Sequence, residues 1–255
     1  MIRKRLVGVI TVKDSLAVQS FGYKNYLPLG NPEILVENLD RWGVDEILVL
    51  CIDRTVKHQG PDFYLLERLS AKGISTPLIY GGGISKLEQA VKCIQLGAER
   101  ICIDAALHGD KKQIYEISSM IGAQSLIASL PLHMNNRDIN YFNYLSMKSI
   151  SDPEPIFELF TNGIISEALI IDWHNEGQAG SFNMNLLKCF PYKEVSFIVF
   201  GGLSETSQLS TVFKHPQVAA VGIGNFFNYK EHAVQDIKRN INYKNIRPAV
   251  YFKNS

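Results

Sequence analysis

Asp172 and His174 stand one residue apart at the end of an apolar run, Ala168-Leu169-Ile170-Ile171. Residues i and i+2 of an extended strand share a face, so a carboxylate and an imidazole at this spacing form a candidate acid/base pair. Taken singly, either residue reads as a helix cap or a surface group. Glycine turns offer a second kind of chemistry. Gly82-Gly83 lies just after Pro77-Leu78-Ile79-Tyr80, Gly201-Gly202 follows Ser196-Phe197-Ile198-Val199-Phe200, and Gly222-Ile223-Gly224 follows Ala219-Ala220-Val221. Such turns let backbone N–H groups approach an anion, and the start of a following helix adds favourable partial charge. Gly201 and Gly202 with Gly222 and Gly224 make the better phosphate cradle, because two neighbouring turns converge. Gly82 and Gly83 alone read equally well as a tight turn.

Four charged residues stand at the starts of apolar runs: Arg5, Glu46, Arg100 and Glu167. Two cations and two anions around one mouth of a barrel would pair into a neutral ring, since unpaired charges over an apolar floor are costly. On the residues alone, four unrelated surface charges are the simpler reading. His133, His215 and His232 show no metal-ligand spacing with carboxylates, so neither a metal nor a cofactor is expected. Phe226-Phe227 and Phe252 read as packing residues, and Lys253-Asn254-Ser255 as a frayed end.

The elements that must position these groups are visible as a rhythm. Eight short apolar runs recur: Leu6–Ile10, Ile47–Leu50, Pro77–Tyr80, Arg100–Ile103, Ser125–Ala128, Ala168–Ile171, Ser196–Phe200 and Ala219–Gly222. Each is nearly continuous rather than alternating, as strands covered on both faces of a parallel sheet should be. Between them lie stretches of helical spacing. Ile34, Leu35, Leu39 and Trp42 precede Gly43; Leu65, Leu66 and Leu69 precede Gly73; Leu87, Ala90, Val91 and Ile94 precede Gly97; Ile114, Ile117 and Ile121 precede Gly122. Eight β/α repeats close a TIM-type barrel, so the expected fold is α/β, a single (βα)8 domain over residues 1–255, with function on the loops at the carboxyl ends of the strands. A doubly wound open sheet shares the local rhythm, but the strands are evenly spaced and no linker divides the chain. The polar piece from His133 to Asp152 reads as a long loop after the fifth strand. Gly81-Gly82-Gly83-Ile84-Ser85 and Gly201-Gly202-Leu203-Ser204-Glu205 repeat half a chain apart, a hint of internal duplication.

The 255 residues are 46% hydrophobic, with 26 Lys+Arg against 25 Asp+Glu. That composition supports a sizeable core, while a net charge of +1 supplies no general field for nucleic acid or an anionic membrane. No apolar run approaches the ~20 residues of a membrane span, and the basic start lacks the apolar stretch of a signal peptide. The four cysteines are scattered without a CxxC, against a zinc knuckle or a disulfide framework. A soluble cytoplasmic globule is expected.

Lys4-Arg5, Val12-Lys13-Asp14, Gly43-Val44-Asp45-Glu46, Gly81-Gly82-Gly83-Ile84, Gly97-Ala98-Glu99-Arg100 and Gly201-Gly202, in that order and spacing, resemble the HisF-type cyclase subunit of imidazole glycerol phosphate synthase over nearly the whole chain. The resemblance implies a (βα)8 barrel that binds a two-phosphate substrate at its top, with a HisH-type glutaminase docked below sending ammonia through the barrel. It implies that Arg5, Glu46, Arg100 (for a family lysine) and Glu167 form the charged ammonia gate. It also exposes losses. The family's reactive aspartates at the ends of strands one and five fall on Thr11 and Pro131, and a third carboxylate falls on Cys51. Threonine and proline cannot serve as general acid/base groups near neutral pH. An Asn-Thr pair of the first phosphate site becomes Asp104-Ala105, and a carboxylate there would repel phosphate.

A kept gate with lost acids resembles the WbuZ-type, glycosyl amidation-associated branch, as does the segment from His58 to Arg68 running into Pro77–Gly83. That branch implies delivery of ammonia, alongside an ATP-dependent sugar amidotransferase, to a phosphorylated or nucleotide sugar for an acetamidino sugar of surface polysaccharide. Asp53-Arg54, where cyclases carry neutral residues, connects on this reading with the new acceptor. Two alternatives stand beside it: an active cyclase of histidine biosynthesis in which Asp14, Asp53 or Asp172 takes over, and a non-catalytic scaffold that recognises a phosphorylated ligand.

Overall fold

Eight parallel strands close into a barrel in the computed structural model, which describes residues 3–136, 138–151, 153–229 and 232–250. The barrel strands are β1 (Arg5–Lys13), β4 (Glu46–Cys51), β5 (Leu78–Gly81), β6 (Arg100–Ile103), β7 (Leu126–Asn135), β10 (Glu167–Asp172), β11 (Ser196–Phe200) and β12 (Val218–Ile223). They pair in that order, and β12 returns to β1 with Arg5 opposite Ala220. The closing pair excludes the open doubly wound sheet. All eight predicted runs are barrel strands, and α1 (Pro32–Trp42), α2 (Phe63–Ser70), α3 (Leu87–Gln95) and α4 (Lys111–Ile121) occupy the predicted helical stretches. The remaining helices are α5 (Glu154–Thr161), α6 (Asn185–Lys188), α7 (Thr206–Lys214) and α8 (Ala233–Asn240).

Strand alternation divides the core in two. Val7 and Val9 of β1 point into the barrel with Leu48, Leu50, Ile79, Cys102, Ile127, Leu169, Ile171 and Ile198. Leu6, Ile10 and Val12 point outward to meet helix residues such as Val36, Leu39, Leu65, Leu69 and Ile117. Both faces are apolar, which is why the runs are continuous. Phe227 is buried and Phe226 packs against the same core, as expected. The predictions for Phe252, Lys253, Asn254, Ser255 and the end of the loop at Asp152 lie outside the described residues.

The loop expected from His133 to Asp152 is not a loop. β7 runs on to Asn135, turns at Asn136 (φ 56°), and folds back as β8 (Asp138–Asn143) and β9 (Lys148–Ile150). Ile139 and Tyr141 alternate with polar neighbours and are buried, the period-2 signature of a half-buried strand that the polar composition had masked. A second hairpin, β2 (Leu16–Phe21) and β3 (Asn25–Gly30), extends antiparallel from the end of β1. The two hairpins rise on the same end of the barrel and shape its upper mouth.

Candidate functional site

β6 runs from one end of the barrel to the other. Its Arg100 stands at the floor, Cys102 points into the middle, and Asp104, just past the strand, faces a cavity of about 270 Å³ at the top. The cavity descends to Leu50, Gly81, Cys102, Ser129 and Ile171. Above them its walls are largely aromatic, with Tyr23, Phe142, Tyr144 and Trp173 contributed by the two hairpins and the end of β10.

Asp104 is the one carboxylate among the cavity's lining residues. The Tyr141 hydroxyl donates a hydrogen bond to it, and burial pushes its pKa up to about 7, against the pull of Tyr141 and Ser129. Burial, with Asp104 beside it, also raises the Tyr141 phenol well above its usual range, so the phenol stays a donor. The His108 ring meets Tyr141 edge-on at 4.7 Å, and burial lowers its pKa. Two buried polar atoms at the cavity have no partner among the described residues, the Tyr23 hydroxyl and His108 Nε2. The roof is a chain of rings: Phe142 stacks on Trp173 at 4.3 Å, Trp173 Nε1 donates to His133 Nδ1 at 3.1 Å, and His133 lies 4.4 Å from His174.

The acid/base pair read from Asp172 and His174 does not form. Alternation along β10 turns Leu169, Ile171 and then Trp173 inward, so it is the residue between them that enters the mouth. Asp172 is buried on the outer side, where its carboxylate accepts from Asn175 Nδ2 and the Asn183 N–H, each at 2.8 Å. It holds the loop after β10 in place. His174 is exposed, and no hydrogen bond joins the two among the described residues.

Thr11 is buried in β1 in step with the inward Val7 and Val9, and Pro131 in β7 in step with the inward Ile127. Cys51 points outward to the strand–helix layer, where burial pushes its thiol up to about 12 despite a hydrogen bond with Tyr80. Asp53 and Arg54 are engaged in their own loop rather than aimed into the aromatic mouth. Lys57 pairs with Asp53 at 2.7 Å and with Asp14, and Arg54 Nε donates to the Gly60 carbonyl at 2.7 Å.

The two glycine turns use one device twice. A Cβ on Gly82 (φ 129°) would lie 2.4 Å from the Cys51 carbonyl oxygen, and one on Gly201 (φ 104°) 2.6 Å from that of Asp172. In each case the turn presses onto the end of a neighbouring barrel strand. A Cβ on Gly83 would likewise lie 2.6 Å from the Gly60 backbone, and one on Gly202 2.5 Å from Ser181 Oγ. Packing therefore accounts for the glycines at the first turn. At the second turn a separate cavity of about 100 Å³ opens, lined by Gly202, Ser204, Gly224 and Asn225, with Glu176 at its side. Gly222 lies within β12 and does not line it; its absent side chain makes room for Val9 inside the barrel.

The four floor charges close into a ring. Arg5 Nη1 meets Glu46 at 2.8 Å and Arg5 Nη2 meets Glu167 at 2.5 Å; Arg100 meets Glu167 at 2.5 Å and Glu46 at 3.5 Å. Burial opposes the Arg5 charge, but Glu167 and Glu46 outweigh it and its pKa rises. At Glu46 burial wins over Arg5 and Arg100, and its pKa is raised. One inward layer, made of Val7, Leu48, Ile79, Ile127, Leu169 and Ile198, separates the ring from the residues at the bottom of the cavity. The aromatic walls and the Tyr23, His108 and Tyr141 contacts were not read from sequence; only the alternation in β8 signalled them. No group of three metal-ligating side chains occurs among the described residues, and none of their helices is long and apolar enough to cross a membrane.

Known proteins are similar to this chain in sequence. A chain of Vibrio vulnificus (strain YJ016) provisionally named imidazole glycerol phosphate synthase subunit hisF2 is 28% identical, over 91% of this chain and 86% of that one. The imidazole glycerol phosphate synthase subunits HisF of Petrotoga mobilis and Pyrococcus furiosus are 26% and 25% identical, each over 93% of this chain and 95% of theirs. Residues 5–233 match the family model described as histidine biosynthesis protein. With a match of that extent, the chain belongs to the histidine biosynthesis protein family.

Proposed function

We propose that this chain is the synthase-side subunit of a glutamine amidotransferase, conducting ammonia from a HisH-type glutaminase at its floor to an acceptor at its top. One observation carries the reading: a complete ring of alternating charges guards the floor, while Thr11 and Pro131 stand where the cyclases carry aspartates. Uncharged ammonia crosses an apolar interior far more cheaply than ammonium, because a buried unpaired cation is prohibitive. The ring can admit a small polar molecule without stranding a charge, since each member keeps a second partner when one edge opens. Arg100–Glu46, at 3.5 Å, is the longest edge. Above the ring, ammonia has one apolar layer to cross before it reaches Cys102 and Ser129, whose side chains share a hydrogen bond, and then Asp104.

The acceptor we favour is a sugar amidated for surface polysaccharide, with an ATP-dependent amidotransferase as third partner. The resemblance to the amidation-associated branch supports it. The second glycine turn, with Gly202, Ser204 and Gly224 around its own cavity, is the place where this reading puts a phosphate of the acceptor. The deciding experiment against an active cyclase supplies the ribonucleotide substrate of the cyclases with ammonium salt. No imidazole product is expected. Turnover at a rate typical of enzymes, on the order of 1 s⁻¹ or faster, would overturn the proposal in favour of histidine biosynthesis.

A further inference from the structure

The aromatic mouth has the shape and chemistry of a ligand site, but not of a phosphate site. Its volume, about 270 Å³, lies just below the range of roughly 300–1,000 Å³ typical of small-molecule pockets, so it suits a single ring. Its walls are flat and apolar, with Phe142 stacked on Trp173. Lys24, exposed at the rim, is the one Lys or Arg among the lining residues. The carboxyl of Asp104 sits within, where an anion would meet repulsion in a poorly solvated space. The turn at Gly82 and Gly83, which could have cradled an anion, is explained by its contacts with the Cys51 carbonyl and the Gly60 backbone.

What the mouth lacks is also specific. Buried polar groups ordinarily find partners, yet the Tyr23 hydroxyl and His108 Nε2 find none among the described residues. Tyr23 offers a donor. Asp104, already accepting from Tyr141, has further acceptor capacity. A donor and an acceptor lining one cavity complement a group that carries a carbonyl-type oxygen next to an N–H.

We propose that the mouth binds the uncharged, ring-sized part of a ligand, bearing an amide-type edge, with Asp104 accepting its N–H and the Tyr23 hydroxyl donating to its oxygen. This deepens the proposed function, resting on it only in taking the mouth as the acceptor end. It makes Asp104, rather than the lost aspartates of strands one and five, the polar anchor of the bound molecule. Burial that raises the Asp104 pKa to about 7 also brings the carboxyl into the range where small changes at its side alter its charge.

A matched series of probes tests this, followed through the indole N–H signal of Trp173 in nuclear magnetic resonance titrations of the full chain. Benzamide carries the amide edge, acetophenone lacks the N–H, and benzoate and inorganic phosphate are anions. Benzamide should shift the indole signal saturably, with acetophenone, benzoate and phosphate each at least about tenfold weaker. Asp104→Ala should abolish the preference for benzamide over acetophenone. Tyr23→Phe, which leaves the anchor in place, should weaken both by several-fold. A benzoate or phosphate affinity equal to that of benzamide, no saturable response to benzamide, or a preference unchanged in Asp104→Ala overturns the proposal, as does unchanged binding in Tyr23→Phe. Glutaminase activation measured on the same preparations reports separately on the floor, so the ligand assignment can fail while the conduit stands, and the reverse.

Discussion

Keeping an ionised Asp104 costs this fold stability, and the cost has a definite pH dependence. Its folded pKa of about 7 lies above the 3.8 of an unperturbed aspartate. Between those values the folded chain binds more protons than the unfolded one, so stability falls as pH rises through the window. Asp104→Asn removes the charge and keeps a hydrogen-bonding partner for Tyr141. Urea denaturation should find the variant more stable at pH 8 by roughly 1–3 kcal/mol, with the gain gone below about pH 4. An unchanged difference across that range would contradict the assignment. At the floor ring, removing a carboxylate destabilises instead. Glu167 is almost wholly buried between two guanidinium groups, so Glu167→Ala leaves both underpaired and should cost roughly 3–5 kcal/mol in the same assay. Removing the exposed Lys57–Asp14 pair by Asp14→Ala should leave the urea midpoint essentially unchanged. From the sequence, the four floor residues were individually visible, but only the order of the family motifs tied them together. Asp172 and His174 misled because spacing fixes a shared face without fixing which face, and the inward one belongs to Trp173.

The eight strands and the first four helices were legible as elements because each buries apolar side chains with a clear period. The hairpins were not, since their alternation is short and interrupted by polar residues. Yet they build the mouth. The β2–β3 hairpin is tied across the barrel top by Glu176, which accepts from Ser20 Oγ at 2.8 Å and the Tyr23 N–H at 3.3 Å, and by Asn225 Nδ2 donating to the Ser20 carbonyl at 2.7 Å. Glu176→Ala should therefore speed hydrogen exchange at the Tyr23 amide by roughly tenfold while the amides of β4 and β5 stay protected. Equal acceleration everywhere would mean that Glu176 supports the fold rather than the hairpin. The repeated glycine turns make a second prediction at this scale. Gly82→Ala drives a methyl to 2.4 Å from a strand carbonyl at φ 129°, and should destabilise by about 2 kcal/mol or more. Gly30→Ala, also at positive φ but with open space around it, should cost less in the same measurement.

The whole barrel has a charged floor and an aromatic mouth, and β4, β6 and β10 each run from one to the other. Arg100 at the floor, Cys102 in the interior and Asp104 at the top project inward from β6, and a single apolar layer parts the charged ring from the cavity above. The β/α order was readable from periodicity, and the even spacing of eight strands without a linker favoured closure. The joining of floor to cavity was not, because it depends on which small side chains (Gly81, Cys102, Ser129) fall side by side once the strands are in register. The most direct measurement of the conduit combines the purified chain with its HisH-type glutaminase and follows glutamine hydrolysis. The account predicts a stable complex and a marked rise in turnover over the glutaminase alone. No complex and an unchanged rate would contradict it.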